Sequence, residues 1–156
     1  MEAEVKSISA RLKDIRIYYG YKQTDIARTL DICRNAYCEY EHYKRIIPLK
    51  RLIPLSNFYG INIDYLLGLT DTKIDVKPIE INRSIISDRL LEIRHVNNLS
   101  VAELASSLNV SEALIYYYES CEKLISTSVC YDLAKKYNVS IDYLLGRSSS
   151  KYELRK

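Results

Sequence analysis

Glycine and proline are scarce. The 156-residue chain carries 4 Gly and 3 Pro, where average usage would put their sum near ~19. All-β folds spend both residues on their many turns, so the shortage favours helices. No apolar run approaches the ~18 residues of a membrane span. The opening residues mix acids and bases without the apolar core of an export signal. Cysteines stand at 33, 38, 121 and 130 and form no CxxC pair, and neither His42 nor His95 lies at ligand spacing from them. That excludes the usual zinc patterns and leaves reduced thiols of a cytoplasmic protein as the expectation. GxSxG, HExxH and a phosphate-cradling glycine loop are all missing. We therefore expect no enzyme, no metal and no cofactor.

What is present is ordinary for a globular chain: 47% hydrophobic and 28% charged residues, which excludes disorder. The net charge of +3 permits a nucleic-acid partner without implying one.

The informative feature is a repeat. Residues 8–68 align without a gap on residues 86–146, at an offset of 78. Roughly 18 positions are identical, well above chance at this length. They include Arg11/Arg89, Arg16/Arg94, Ala27/Ala105, Tyr40/Tyr118, Glu41/Glu119 and Tyr59/Tyr137, and the hexapeptide from Ile63 to Gly68 recurs whole from Ile141 to Gly146. The chain thus reads as two homologous domains, at 1–70 and 84–148. A linker at 71–83 contains Pro78, and a tail follows at 149–156.

Each repeat parses into five short helices. In the first, Ile8, Leu12, Ile15 and Tyr19 share one helical face. A second helix carries Ile26, Ala27 and Leu30, and a third begins near Cys33 and Arg34. Pro48 is placed to open a fourth, with Leu52, Leu55 and Tyr59 inward. A fifth follows at about Ile63 to Leu67, capped by Gly68. Pro54 conflicts with the fourth helix, which must start late or kink.

The join between helices two and three is diagnostic. Ala27 is small where two helices cross. Asp31 and its counterpart Asn109 are the non-glycine types that most readily take a positive φ. Ile32 and Val110 then anchor the turn. Small residue, turn residue, apolar residue and amphipathic helix at this spacing make a helix-turn-helix, here in two copies.

The stretch from Gln23 to Ala27, then Leu30, Asp31 to Asn35, Tyr40-Glu41 and the closing Asp64 to Gly68, resembles the Cro/lambda-repressor-like (XRE-type) helix-turn-helix family, over most of each repeat. The resemblance implies an all-α chain of two tandem five-helix domains. It implies that the third helix lies in the DNA major groove, that the Gln opening helix two contacts phosphate, and that the first residues of helix three read bases. It also implies that an Arg of helix one pairs with a Glu ending helix three. The chain departs from the family at Lys22, usually a Ser or Thr cap, and at Asp31, usually Gly.

The two repeats differ in charge. Residues 28–51 sum to +3 and the matching residues 106–129 to −2. Phosphate neutralisation dominates DNA affinity, so the second repeat is a poor match for a duplex. It also has Val101 for Gln23, and Glu112 and Ala113 for Arg34 and Asn35. We therefore expect the first repeat to bind DNA through Gln23, Arg34 and Asn35, with Arg suited to guanine and Asn to adenine. Glu39 lies on the same side; it accepts from a cytosine amine or penalises other sequences. Lys44 and Arg45 are phosphate contacts or an ordinary charged loop. Arg16 with Glu41, and Arg94 with Glu119, recur together and read as structural ion pairs. Of Tyr116, Tyr117 and Tyr118, successive on one helix, at least one must face outward. Tyr116 and Tyr117 are the candidate protein interface.

The expectation is a sequence-specific double-stranded DNA-binding transcriptional regulator of repressor type. It would act as a homodimer on a two-fold operator, the second repeat serving dimerisation or partner binding. The alternative is a protein–protein module of antirepressor or antitoxin type that keeps the fold without touching DNA. Retention of Gln23, Arg34 and Asn35 argues against it.

Overall fold

A computed structural model describes residues 2–151; Met1 and residues 152–156 of the tail lie outside the described residues. The chain divides into two compact units, meeting at Glu80 and Ile81, and the described residues are helical without a strand. The first unit holds α1 (Glu2–Tyr18), α2 (Gln23–Thr29), α3 (Arg34–Glu41), α4 (Leu49–Tyr59) and α5 (Ile63–Leu66). The second holds α6 (Arg83–Val96), α7 (Val101–Ser107), α8 (Glu112–Glu119), α9 (Thr127–Tyr137) and α10 (Ile141–Leu144). From α2 and α7 onward, both ends of each matching helix differ by the 78 residues of the sequence repeat.

The core of each unit follows the sequence periodicity. Ile8, Leu12 and Ile15 of α1 are buried with Ile26, Ala27 and Leu30, Leu52 and Leu55, and Leu66. Ile86, Leu90 and Ile93 of α6 take the same places with Leu104, Ala105, Leu108, Leu133 and Leu144. Each large apolar side chain removed from water contributes about 1.5–3 kcal/mol. Pro54 sits inside α4, which begins directly after Pro48 and runs on to Tyr59. The late start allowed by the sequence does not occur. Pro54 leaves the carbonyl of Lys50 without its helical donor, and Lys50 is exposed, where water can satisfy it.

The repeat extends to the backbone of the turns. Positive φ occurs at Gly20, Asp31, Tyr43, Gly60 and Gly68, and again 78 residues later at Asn98, Asn109, Cys121, Asn138 and Gly146. These residues close helices. After α2, the Ile32 amide donates to the Ala27 carbonyl (3.0 Å) and the Asp31 amide to Arg28 (3.1 Å). After α7, Val110 donates to Ala105 (3.0 Å) and Asn109 to Ser106 (3.2 Å). Both are Schellman closures with a left-handed Asx residue. Few glycines suffice because Asp and Asn fill four of the ten positions.

The segment after α5 is bonded to the first unit. Asn62 donates its amide to the Ile74 carbonyl (3.1 Å) and accepts the Ile74 amide at Oδ1 (2.9 Å). Asn57 exchanges two side-chain hydrogen bonds with the backbone of Ile79. Residues 74–79 are thereby tied to α4 and to the entry of α5.

Candidate nucleic-acid interface

The turn between α2 and α3 positions the site. Leu30 ends α2, and its carbonyl accepts from Arg51 Nη1 of α4 at 2.6 Å. A cation on the C-terminal carbonyls of a helix is favourable, so Arg51 locks the turn from below. Asp31 reverses the chain and Cys33, in extended conformation, opens α3. Arg34 and Asn35 are the first two residues of α3 and both are exposed. Inward on the same helix, Tyr37 and Tyr40 are buried. Thr24, Arg28 and Arg34 line one shallow depression along the turn. In the sequence Arg28 counts only toward the positive charge of residues 28–51 and Thr24 is not singled out; the two are a cation and a hydroxyl four apart, both exposed on α2.

Gln23 opens α2. Its preceding residue Lys22 supplies no side-chain cap, and only half of a capping box forms: the Lys22 amide donates to Asp25 Oδ2 at 2.8 Å. In the second unit Ser100 and Glu103 complete the reciprocal box. The Gln23 side chain is half-buried and donates from Nε2 to Glu41 Oε2 at 2.9 Å. Glu41 also accepts from Arg16 Nε (2.5 Å) and Nη2 (2.9 Å). The second unit repeats the ion pair, Arg94 to Glu119 at 2.7 and 3.2 Å, without a glutamine.

Burial alone would push the Glu41 carboxyl up. The hydrogen bonds from Arg16 and Gln23, with the Arg16 charge, outweigh that and hold it below the usual carboxylate range. Arg16 is raised, above all by its hydrogen bond to Glu41.

The remaining candidates fall into two sets. Glu39 and Arg45 meet at 3.3 Å, while Lys44 is exposed beside them. In the second unit Tyr116 and Tyr117 are 56% and 38% exposed, whereas Tyr118 is buried. The Lys123 ammonium lies 4.5 Å from the centre of the Tyr117 ring. Among the described residues no disulfide joins the four cysteines. Among the same described residues no group of three or more His, Cys, Asp or Glu could hold a metal ion, and no helix is long and apolar enough to cross a membrane.

A helix-turn-helix domain model matches residues 10–72, and a second helix-turn-helix model matches residues 90–144. The HTH-type transcriptional regulator ImmR of Bacillus subtilis (strain 168) is 31% identical over 93 residues, covering 60% of this chain and 72% of the relative. The chain belongs to the XRE-type helix-turn-helix family of transcriptional regulators. A second relative is the SPbeta prophage-derived uncharacterized HTH-type transcriptional regulator YonR of the same organism. It is 41% identical over 69 residues, covering 44% of this chain and 64% of its own. The cryptic phage CTXphi transcriptional repressor RstR of Vibrio cholerae is 26% identical over 114 residues, or 73% of this chain and 93% of its own. No solved structure matches the chain.

Proposed function

We infer that this regulator binds a double-stranded operator through its first unit and represses transcription as a homodimer. The second unit serves dimerisation or partner binding. The observation that carries this reading is the contrast at the start of the third helix of each unit. Arg34 and Asn35 are exposed on α3, and Glu112 and Ala113 are exposed at the same places on α8. An Arg and an Asn at that position match guanine and adenine edges; a carboxylate and a methyl group do not match phosphate or most base edges. Gln23 beside them retains a second Nε2 hydrogen and an amide oxygen after its bond to Glu41, which suits it to a backbone phosphate. Lys44 adds positive charge past the end of α3. On α8, Tyr116 and Tyr117 offer exposed aromatic area of the kind enriched at protein interfaces.

The test is selection of bound duplexes from a random pool by the full chain. We expect a two-fold consensus. The double variant Arg34→Ala with Asn35→Ala should lose selection, and Glu112→Ala should keep it. Loss of selection in Glu112→Ala alone would place the reading helix in the second unit instead.

A further inference from the structure

The two units share a fold but differ at one groove, and each serves as the other's control. In the second unit, Arg89 of α6 lies over the Tyr143 ring at 3.9 Å. The Lys151 ammonium pairs with Glu92 and stands 5.7 Å from the centre of the same ring. The Tyr143 hydroxyl donates to Glu92. This cradle of carboxylate and ring is filled by the chain's own ammonium, and Tyr143 is only 1% exposed.

Every member has a counterpart in the first unit, 78 residues earlier: Arg11, Asp14, Tyr65 and Lys73. Arg11 again lies over the ring, at 4.7 Å from the centre of Tyr65. Its guanidinium is committed to the carbonyls of Tyr65 and Thr70 and to Asp71. Lys73, however, does not fill the cradle. It donates to the Tyr19 hydroxyl at 3.3 Å and lies 5.9 and 5.7 Å from the Tyr18 and Tyr19 ring centres. Those two tyrosines are Val96 and Asn97 in the second unit, so the rings that draw Lys73 aside are absent there. Asp14 is also one methylene shorter than Glu92. Among the described residues Asp14 makes no ion pair, and Tyr65 is less deeply buried than Tyr143. The result is a groove of about 580 Å³ lined by Asp14, Tyr18, Tyr19 and Tyr65, with the engaged Arg11 and Lys73 side chains also on its wall.

We propose that this groove of the first unit is a binding site for an organic ammonium group, held by the Asp14 carboxylate and the Tyr65 and Tyr18 rings. The second unit shows what the cradle accepts: an alkylammonium at the end of a flexible chain. A carboxylate supplies the charge, and ring faces attract a cation while covering its alkyl stem. An anion gains less, because Arg11 is already bonded to two carbonyls and a carboxylate, the Lys73 ammonium is bonded to the Tyr19 hydroxyl, and Asp14 and Asp71 put two carboxylates on the groove wall. The site is independent of the DNA reading.

The test titrates the full chain, without DNA, with n-butylamine, with 1,4-diaminobutane, with the peptide acetyl-Ala-Lys-Ala-amide and with butyrate, following the tyrosine ring signals by NMR. We expect saturable shifts of the Tyr18 and Tyr65 rings with the ammonium probes and none with butyrate. Tighter saturation by the peptide assigns the site to a protein lysine, and by the diamine to a free amine; either supports it. Asp14 is exposed, so Asp14→Asn should fold and weaken binding by ~10-fold or more, the usual worth of one charged hydrogen bond. Lys73→Ala, which removes the competing intramolecular ammonium, should bind at least as tightly as the parent. Equal shifts with butyrate, unchanged affinity in Asp14→Asn, or no saturation by any amine would overturn the proposal.

Discussion

Arg16 and Glu41 meet through two parallel hydrogen bonds, with the Glu41 side chain fully shielded and Arg16 only 12% exposed. The pair joins α1 to the end of α3, and Gln23 joins the same carboxylate from α2. Three helices of the first unit therefore converge on one buried anion. The third helix is held at both ends: here at its C-terminal residue, and at its start through the turn that Arg51 caps.

Glu41→Ala should consequently cost stability steeply. It leaves a largely buried guanidinium without its carboxylate, for which about 3–5 kcal/mol is typical. Glu119→Ala should cost less, since Arg94 and Glu119 are each somewhat more exposed and no glutamine shares the bond. Urea melts of the two full-length variants check this. A smaller loss in Glu41→Ala than in Glu119→Ala would contradict the ranking.

The same carboxylate sets a pH dependence. Its folded value lies below the ordinary 4.5, so the unfolded chain binds the proton more readily. The stabilisation is complete above the ordinary carboxylate value and is lost as pH falls through the lower folded value. Denaturant midpoints measured from neutral pH down into this acid range should decline. Glu41→Gln, which has no charge to lose, should decline less over the same window.

Much of this was legible in the sequence, for physical reasons that differ by residue. The helix-turn-helix could be read because Asp31 and Asn109 are residue types that tolerate the left-handed conformation the turn demands. Tyr43 and Cys121 adopt it too, at φ of 61° and 64°, and nothing in a tyrosine or a cysteine announces that. The ion pairs were visible because both partners recur 78 residues apart. The Gln23 bond to Glu41 was not, because Val101 breaks the recurrence. The attachment of residues 74–79 to Asn57 and Asn62 was hidden for the same reason: Lys135 and Ser140 occupy those positions in the second repeat. The repeat marks what the two copies share, and features peculiar to the first unit have no second copy to reveal them.

The turn itself can be probed at Asp31, whose φ is 51°. Asp31→Gly should fold at least as stably as the parent. Asp31→Val places a β-branched side chain in the left-handed region and should lose about 1–2 kcal/mol. Thermal melts of the two variants separate them, and a valine variant as stable as the glycine one would mean the turn relaxes out of this conformation.

Self-association should depend on the exposed tyrosines of α8. Replacing Tyr116 and Tyr117 together by Lys removes aromatic area and places like charges on both copies of the proposed two-fold contact, while Tyr118 keeps the core. Sedimentation of the full chain should then shift from dimer to monomer with an unchanged circular dichroism spectrum. A dimer that survives would move the interface elsewhere.

The last expectation separates reading from holding at the DNA face. The Arg34 side chain is exposed and makes no hydrogen bond or ion pair within the protein among the described residues, so Arg34→Ala should leave folding intact. On a panel of operator variants it should lose about 1–3 kcal/mol of discrimination at one base pair of each half-site and little elsewhere. Gln23→Ala acts differently. A phosphate carries no sequence information, so every operator variant should weaken alike. The plot of log affinity against log salt should also stay nearly parallel to the parent's, because a neutral amide releases no counterion. A lysine contact such as Lys44, replaced by Ala, should instead flatten that plot by about 0.9. Gln23→Ala carries one further signature. It removes a donor from Glu41, so the variant should melt slightly earlier than the parent while Arg34→Ala does not. A base-specific loss in Gln23→Ala, or a uniform loss in Arg34→Ala, would exchange the two roles.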